Sequence, residues 1–204
     1  MSAAAGAAGA AGVAFVLFLL AHAGARRLGD DAGRFPFALA AAAALAGALA
    51  FARGASYDAA AVALALAVAV VAAIVDRRTG LIPDLMLLPA LLAVLALRAG
   101  RPEDALWGAA VTAGLLAVPY VATRGRGFGF GDVKLGLIVG AALGPFGGGL
   151  AVGASFIAGG VYAAYLLLTR RAERGTELAF GPFVAVGALA SWAGVTWGVV
   201  SWIP

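Results

Sequence analysis

Residues 59–75 of this chain carry no Asp, Glu, Lys or Arg, and uncharged apolar runs of similar length recur along the sequence. A helix must cross ~30 Å of hydrocarbon at ~1.5 Å per residue, which takes roughly 20 apolar residues, or fewer when the ends snorkel. The sequence fits that ruler several times, at 3–24, 35–52, 59–75, 82–98, 105–122, 132–146, 149–169 and 182–203. With 64% hydrophobic and 12% charged residues, the expected fold is all-α: a polytopic transmembrane bundle of about eight helices. If Gly147-Gly148-Gly149 is a joint within one long helix, the count falls to about seven. The connections are too short to hold a soluble module, so 1–204 reads as a single membrane domain. Within it, 1–58 forms an N-terminal two-helix segment and 59–204 a core of about six helices. Met1 is followed by no basic residues before a long apolar run, so Ser2–Leu20 is expected to be a retained helix, not a signal peptide.

Composition also excludes chemistry. Without cysteine there is no disulfide, thiol nucleophile or thiolate metal site. The single histidine, His22, reads as a helix-end or interfacial residue, so no metal or other cofactor is expected. The net charge of +4 comes from basic residues scattered among short loops, which argues for membrane topology and against nucleic acid as a partner. Following the odd-numbered spans are Arg26, Arg27, Arg34, Arg77, Arg78, Arg124, Arg126, Lys134, Arg170, Arg171 and Arg174; the opposite side has only Arg53, Arg98 and Arg101. The positive-inside rule then places both termini outside. Asp76, leaving the third span, and Asp132, entering the sixth, fall on the same cytoplasmic face.

These two aspartates are the leading candidates for chemistry, since ionisable groups at the depth of apolar spans mark functional sites. They lie too far apart in sequence for any helical spacing to pair them; only tertiary packing could. Two carboxyls sharing a site do not ionise together easily, so a charged member can take a proton from water while a protonated member polarises the carbonyl under attack. The titration would belong to the pair, with no fixed role for either acid. Gly127, Gly129 and Gly131 remove side chains where an extended substrate could approach. The plainer reading is a glycine-rich turn opening a helix that Asp132 caps. Pro83 suits the first turn of a helix. Asp84 is a helix-start charge or a supporting acid, and Lys134 is an interfacial cation or a carboxylate partner.

The segments Val75-Asp76-Arg77-Arg78-Thr79-Gly80-Leu81-Ile82-Pro83-Asp84-Leu85, Gly129-Phe130-Gly131-Asp132-Val133-Lys134-Leu135 and Phe180-Gly181-Pro182-Phe183-Val184-Ala185 together resemble the prepilin peptidase (type IV leader peptidase) family. These are membrane aspartic proteases of the GxGD kind, and the resemblance covers about residues 59–203. It implies that Asp76 and Asp132 are the catalytic acids and that 59–204 is the peptidase core. The implied substrate is a pilin-like precursor whose basic leader is cut at the cytoplasmic face of the prokaryotic inner membrane, just before its hydrophobic helix. Gly129, Gly131, Lys134, Pro83, Asp84, Phe180, Gly181 and Pro182 are expected to bind substrate or shape the site. Longer members carry a cysteine-bearing insertion between the first two helices, associated with N-methylation; here only Arg26 to Arg34 fills that loop, so methylation is left unsupported. Rival readings are a proton- or cation-coupled transporter, which should show paired broken helices and inverted repeats, a presenilin-like protease that cuts within the membrane, and an inactive scaffold. The precursor and the oligomeric state are not legible.

Overall fold

The computed structural model describes residues 57–125, 128–171 and 178–196, and all regular structure among them is helical. The elements are α1 Tyr57–Thr79, α2 Asp84–Leu97, α3 Pro102–Ala122, α4 Phe130–Leu168 and α5 Gly181–Thr196. The expected spans 59–75, 82–98 and 105–122 correspond to α1, α2 and α3, and 182–203 begins α5. The spans 3–24 and 35–52, with His22 and both termini, lie outside the described residues.

α1 is a largely buried helix. Its Ala- and Val-rich sequence is apolar on every side, as a fully surrounded helix requires, and Ala61, Leu64, Ala65, Val68, Ala69, Ala72 and Val75 are all buried. It packs against α2, α4 and α5. Asp76 follows directly on this buried run, so it is buried because its helix is.

α4 departs from the expected pair of helices in where the break falls. Gly147-Gly148-Gly149 is helical throughout, and the chain instead breaks at Gly144, with φ 74° and ψ 176°. Proline disfavours the helical conformation in the residue before it, and Pro145 follows a glycine, the residue that adopts a positive φ at little steric cost. The break is a reversal. A Cβ on Gly148 would lie 3.2 Å from the Cα of Gly140, whereas residues eight apart in a straight helix are ~12 Å apart. Val133 and Val152 likewise share one apolar cluster. α4 is therefore a hairpin whose two arms correspond to the expected 132–146 and 149–169. Gly108, Gly140 and Gly148 bring α3 and both arms into contact around Thr112, small residues permitting the close backbone approach common between membrane helices.

At the hairpin's turn sits a charge cluster. Arg98, 6% exposed, pairs with Asp58 at 2.8 Å and with Asp104, tying the ends of α1, α2 and α3 together. A Cβ on Gly144 would come within 3.0 Å of the Asp104 carboxylate. Arg98 is thus a buried clamp and not only a charge flanking a span.

Among the described residues, three helices are long and apolar enough to cross a membrane: α1 over Asp58–Arg77, α3 and, taken over its full length, α4; α2 and α5 are shorter apolar helices. Leu85, Leu88 and Leu92 on α2, Trp107 and Val118 on α3, and Ile157 and Val161 on α4 stand exposed. An apolar exterior of this extent marks a surface that something apolar covers, as lipid covers a multi-pass membrane protein.

Candidate active site

The end of the bundle opposite Arg98 gathers the candidate residues. Asp76, in the last turns of α1, is 7% exposed, and Asp132, in the first turn of α4, is 3% exposed. Each carboxylate is held by one backbone donor. Gly181 N–H donates to Asp76 Oδ2 at 2.9 Å, and Gly129 N–H donates to Asp132 Oδ2 at 3.2 Å. Asp132 thus performs the helix-start role of the plainer reading, reaching back to the residue before α4 as the acid of a capping box does. That role occupies one oxygen. Asp132 Oδ1 is buried without a hydrogen-bond partner, an arrangement that needs an explanation wherever it occurs.

The two acids are brought together by the segments that carry their donors. Phe180 precedes Gly181 and Phe128 precedes Gly129, and their rings lie 4.8 Å apart, centroid to centroid. Phe156 of α4 and Phe183 of α5 complete the aromatic cluster around Phe180, at 5.3 Å and 5.8 Å. The gathering comes from α1, the turn before α4 and the entry to α5, segments far apart in sequence.

The glycines lie close against the chain's own side chains. A Cβ on Gly181 would lie 2.9 Å from Asp76 Oδ2, so its bareness lets the Asp76 carboxylate sit against the start of α5. A Cβ on Gly131 would lie 3.0 Å from Ile82 Cβ, and one on Gly129 3.3 Å from Asp132 Oδ2. The nearest neighbours of Gly129 and Gly131 on the Cβ side are thus the chain's own Asp132 and Ile82. Gly127 lies outside the described residues.

Pro83 occupies the residue before α2, with φ −67° and ψ 129°, and is half-buried. Asp84 opens α2 and accepts from Lys134 Nζ at 2.6 Å, so the two charged candidates are partners of each other. Pro182 stands in the first turn of α5. Sequence reasoning gave no role to Phe128, Phe156 or Tyr120, whose ring lies 5.3 Å from that of Phe130. Nothing in their spacing signals a shared cluster. Among the described residues no three His, Cys, Asp or Glu side chains gather to hold a metal ion.

The family model for type IV leader peptidases matches residues 63–164, half of the chain and a stretch containing both Asp76 and Asp132. The chain belongs to the type IV leader peptidase family. It is 35% identical over 140 residues to the prepilin leader peptidase/N-methyltransferase of Stutzerimonas stutzeri, covering 62% of this chain and 45% of the relative. It is 34% identical over 140 residues to the protein of that name from Pseudomonas aeruginosa, with the same coverage. The protein of that name from Pseudomonas putida is 34% identical over 138 residues, 62% of this chain and 46% of the relative. This leader-peptidase family member thus aligns with somewhat under half the length of these relatives. No solved structure gives a significant match. The Phe180–Phe183 segment lies beyond the matched 63–164, yet it supplies the donor to Asp76.

Proposed function

We propose that this chain is a membrane aspartic endopeptidase that removes the basic leader from type IV prepilin-like precursors. The observation that carries this reading is the joint burial of Asp76 and Asp132 at one end of the bundle, with Asp132 Oδ1 left without a partner. A buried carboxylate oxygen with a free lone pair suits a water, and in its protonated form the same group can donate to a peptide carbonyl. In the proposed reaction the ionised member of the pair takes a proton as water attacks the scissile carbonyl, and the protonated member hydrogen-bonds the carbonyl oxygen as charge develops on it. Collapse of the tetrahedral intermediate breaks the C–N bond, and the proton taken from water passes to the leaving amine. The titration belongs to the pair, so neither residue is assigned as the ionised or the protonated member.

The same reading places the acids at the cytoplasmic face, in a bundle of about eight helices with both termini outside. Exposed Arg77, Arg124, Arg170 and Arg171 surround the dyad end, and Arg98 and Arg101 stand at the other. The α4 hairpin supports this arrangement by returning Arg170 and Arg171 to the side from which Asp132 departs. N-methylation is not part of the proposal. A transporter gains no support from α4, because its break is a hairpin turn and not a binding site within a span.

Co-expression with a pilin-like precursor tests the reading. Wild type is expected to cut before the precursor's hydrophobic helix, and Asp76→Asn and Asp132→Asn each to lower cleavage by about 10³-fold. Undiminished cleavage in either variant would remove the dyad. A cut inside the hydrophobic helix, mapped by mass spectrometry, would point to the presenilin-like alternative.

A further inference from the structure

We propose that the Asp84 carboxylate is a docking subsite for a basic side chain of the substrate, occupied in the resting chain by Lys134. Asp76, Asp84 and Asp132 are the described acids at the dyad end, and Asp84 is the exposed one. Asp58, Glu103 and Asp104 belong to the opposite end, where Arg98 binds Asp58 and Asp104. Among the described residues, a basic segment arriving at exposed Arg77, Arg124, Arg170 and Arg171 therefore meets like charge, apart from one carboxylate open to water.

The chain itself displays what that carboxylate binds. Lys134 Nζ donates to Asp84 Oδ1 at 2.6 Å across 50 residues of sequence, and the same ammonium lies 4.9 Å from the centre of the Phe130 ring. A carboxylate beside an aromatic face recognises an ammonium or guanidinium group. The pair is open to exchange, its side chains being 30% and 69% exposed for Lys134 and Asp84. Ion pairs so exposed contribute little stability, so another cation can displace Lys134 at small cost. The position is apt as well. Two residues before Asp84, Ile82 packs against Gly131, the neighbour of Asp132, so a peptide running from the dyad along Ile82 reaches Asp84 next.

This inference rests on the leader-peptidase reading for the identity of the substrate, but its binding test does not. The full chain in phosphatidylcholine nanodiscs is titrated with a fluorescent tri-lysine peptide and, separately, with its tri-glutamine counterpart. Asp84→Asn should weaken tri-lysine binding about three- to five-fold, and Lys134→Met should tighten it by a similar factor. Tri-glutamine should distinguish none of the variants. If the pair were only a clasp between α2 and α4, Lys134→Met would lower thermal stability without tightening binding. Equal tri-lysine binding by wild type and Asp84→Asn overturns the proposal, and this comparison decides even if Lys134→Met fails to fold. In the cleavage assay Asp84→Asn should raise KM for a precursor with leader lysines, and not for one whose leader lysines are replaced by glutamine. Asp84-dependent binding with no cleavage of any precursor would leave the subsite standing and overturn the peptidase reading.

Discussion

At the residue scale the site depends on what each carboxylate is given and what it is left without. Gly181 supplies a donor to Asp76 from a point where a methyl group would intrude. Gly181→Ala is therefore expected to displace the carboxylate and lower precursor cleavage by about 10²-fold, as a misplacement near 1 Å can. Gly160→Ala is its control, since a Cβ there meets open space, and cleavage should be unchanged. Equal activity of both variants in the co-expression assay would refute the positioning role of Gly181. Asp132 was legible from its surroundings because charge is rare in such runs. Its division between a helix-start oxygen and an unpartnered one was not, since both readings of Gly129-Phe130-Gly131-Asp132 use the same letters. Phe128 and Phe156 were invisible for another reason: an aromatic in an apolar chain is unexceptional until tertiary contacts show which rings meet.

At the scale of elements, the α4 hairpin shows how the competing punctuation signals in one segment are resolved. Three consecutive glycines look like the stronger break, but glycine inside a packed membrane helix is tolerated where it lets neighbours approach. Proline imposes a restriction on the residue before it, and Gly144-Pro145 meets that restriction without strain. Gly144→Ala should cost about 1–3 kcal/mol through its backbone conformation, with the added methyl also crowding Asp104. Gly149→Ala should change stability by less than about 1 kcal/mol, since it sits in a helix facing open space. Thermal unfolding in detergent separates the two, and the reverse order would return the break to the glycine run. The helix positions of α1, α2 and α3 were readable from apolar length alone. The burial of Arg98 was not, because a cation following a span looks the same whether it faces water or clamps two carboxylates.

At the scale of the whole molecule, the proposed sidedness rests on alternating spans and uneven basic charge, and it puts the acids on the face with most of the arginines. A chain without cysteine offers a clean background for testing this. Arg124→Cys should react with a membrane-impermeant thiol reagent only from the cytoplasmic side, and Arg101→Cys only from the opposite side. Labelling in the opposite sense would invert the topology and remove the cytoplasmic placement of the site. The all-helical, membrane-crossing character was legible because lipid imposes a length on every crossing. The placing of Asp76 and Asp132 at one end of the bundle was foreseeable only as a shared face, since the contact between Phe128 and Phe180 beside their donors spans distant parts of the chain.

The claim that the two acids act as one site is tested most directly by comparing precursor cleavage in Asp76→Asn, Asp132→Asn and the double variant, with folding checked by thermal unfolding. Groups that work as a unit are non-additive when removed, so each single variant should lose about 10³-fold and the double variant scarcely more. Losses that multiply, or a single variant that cleaves as well as wild type, would contradict it.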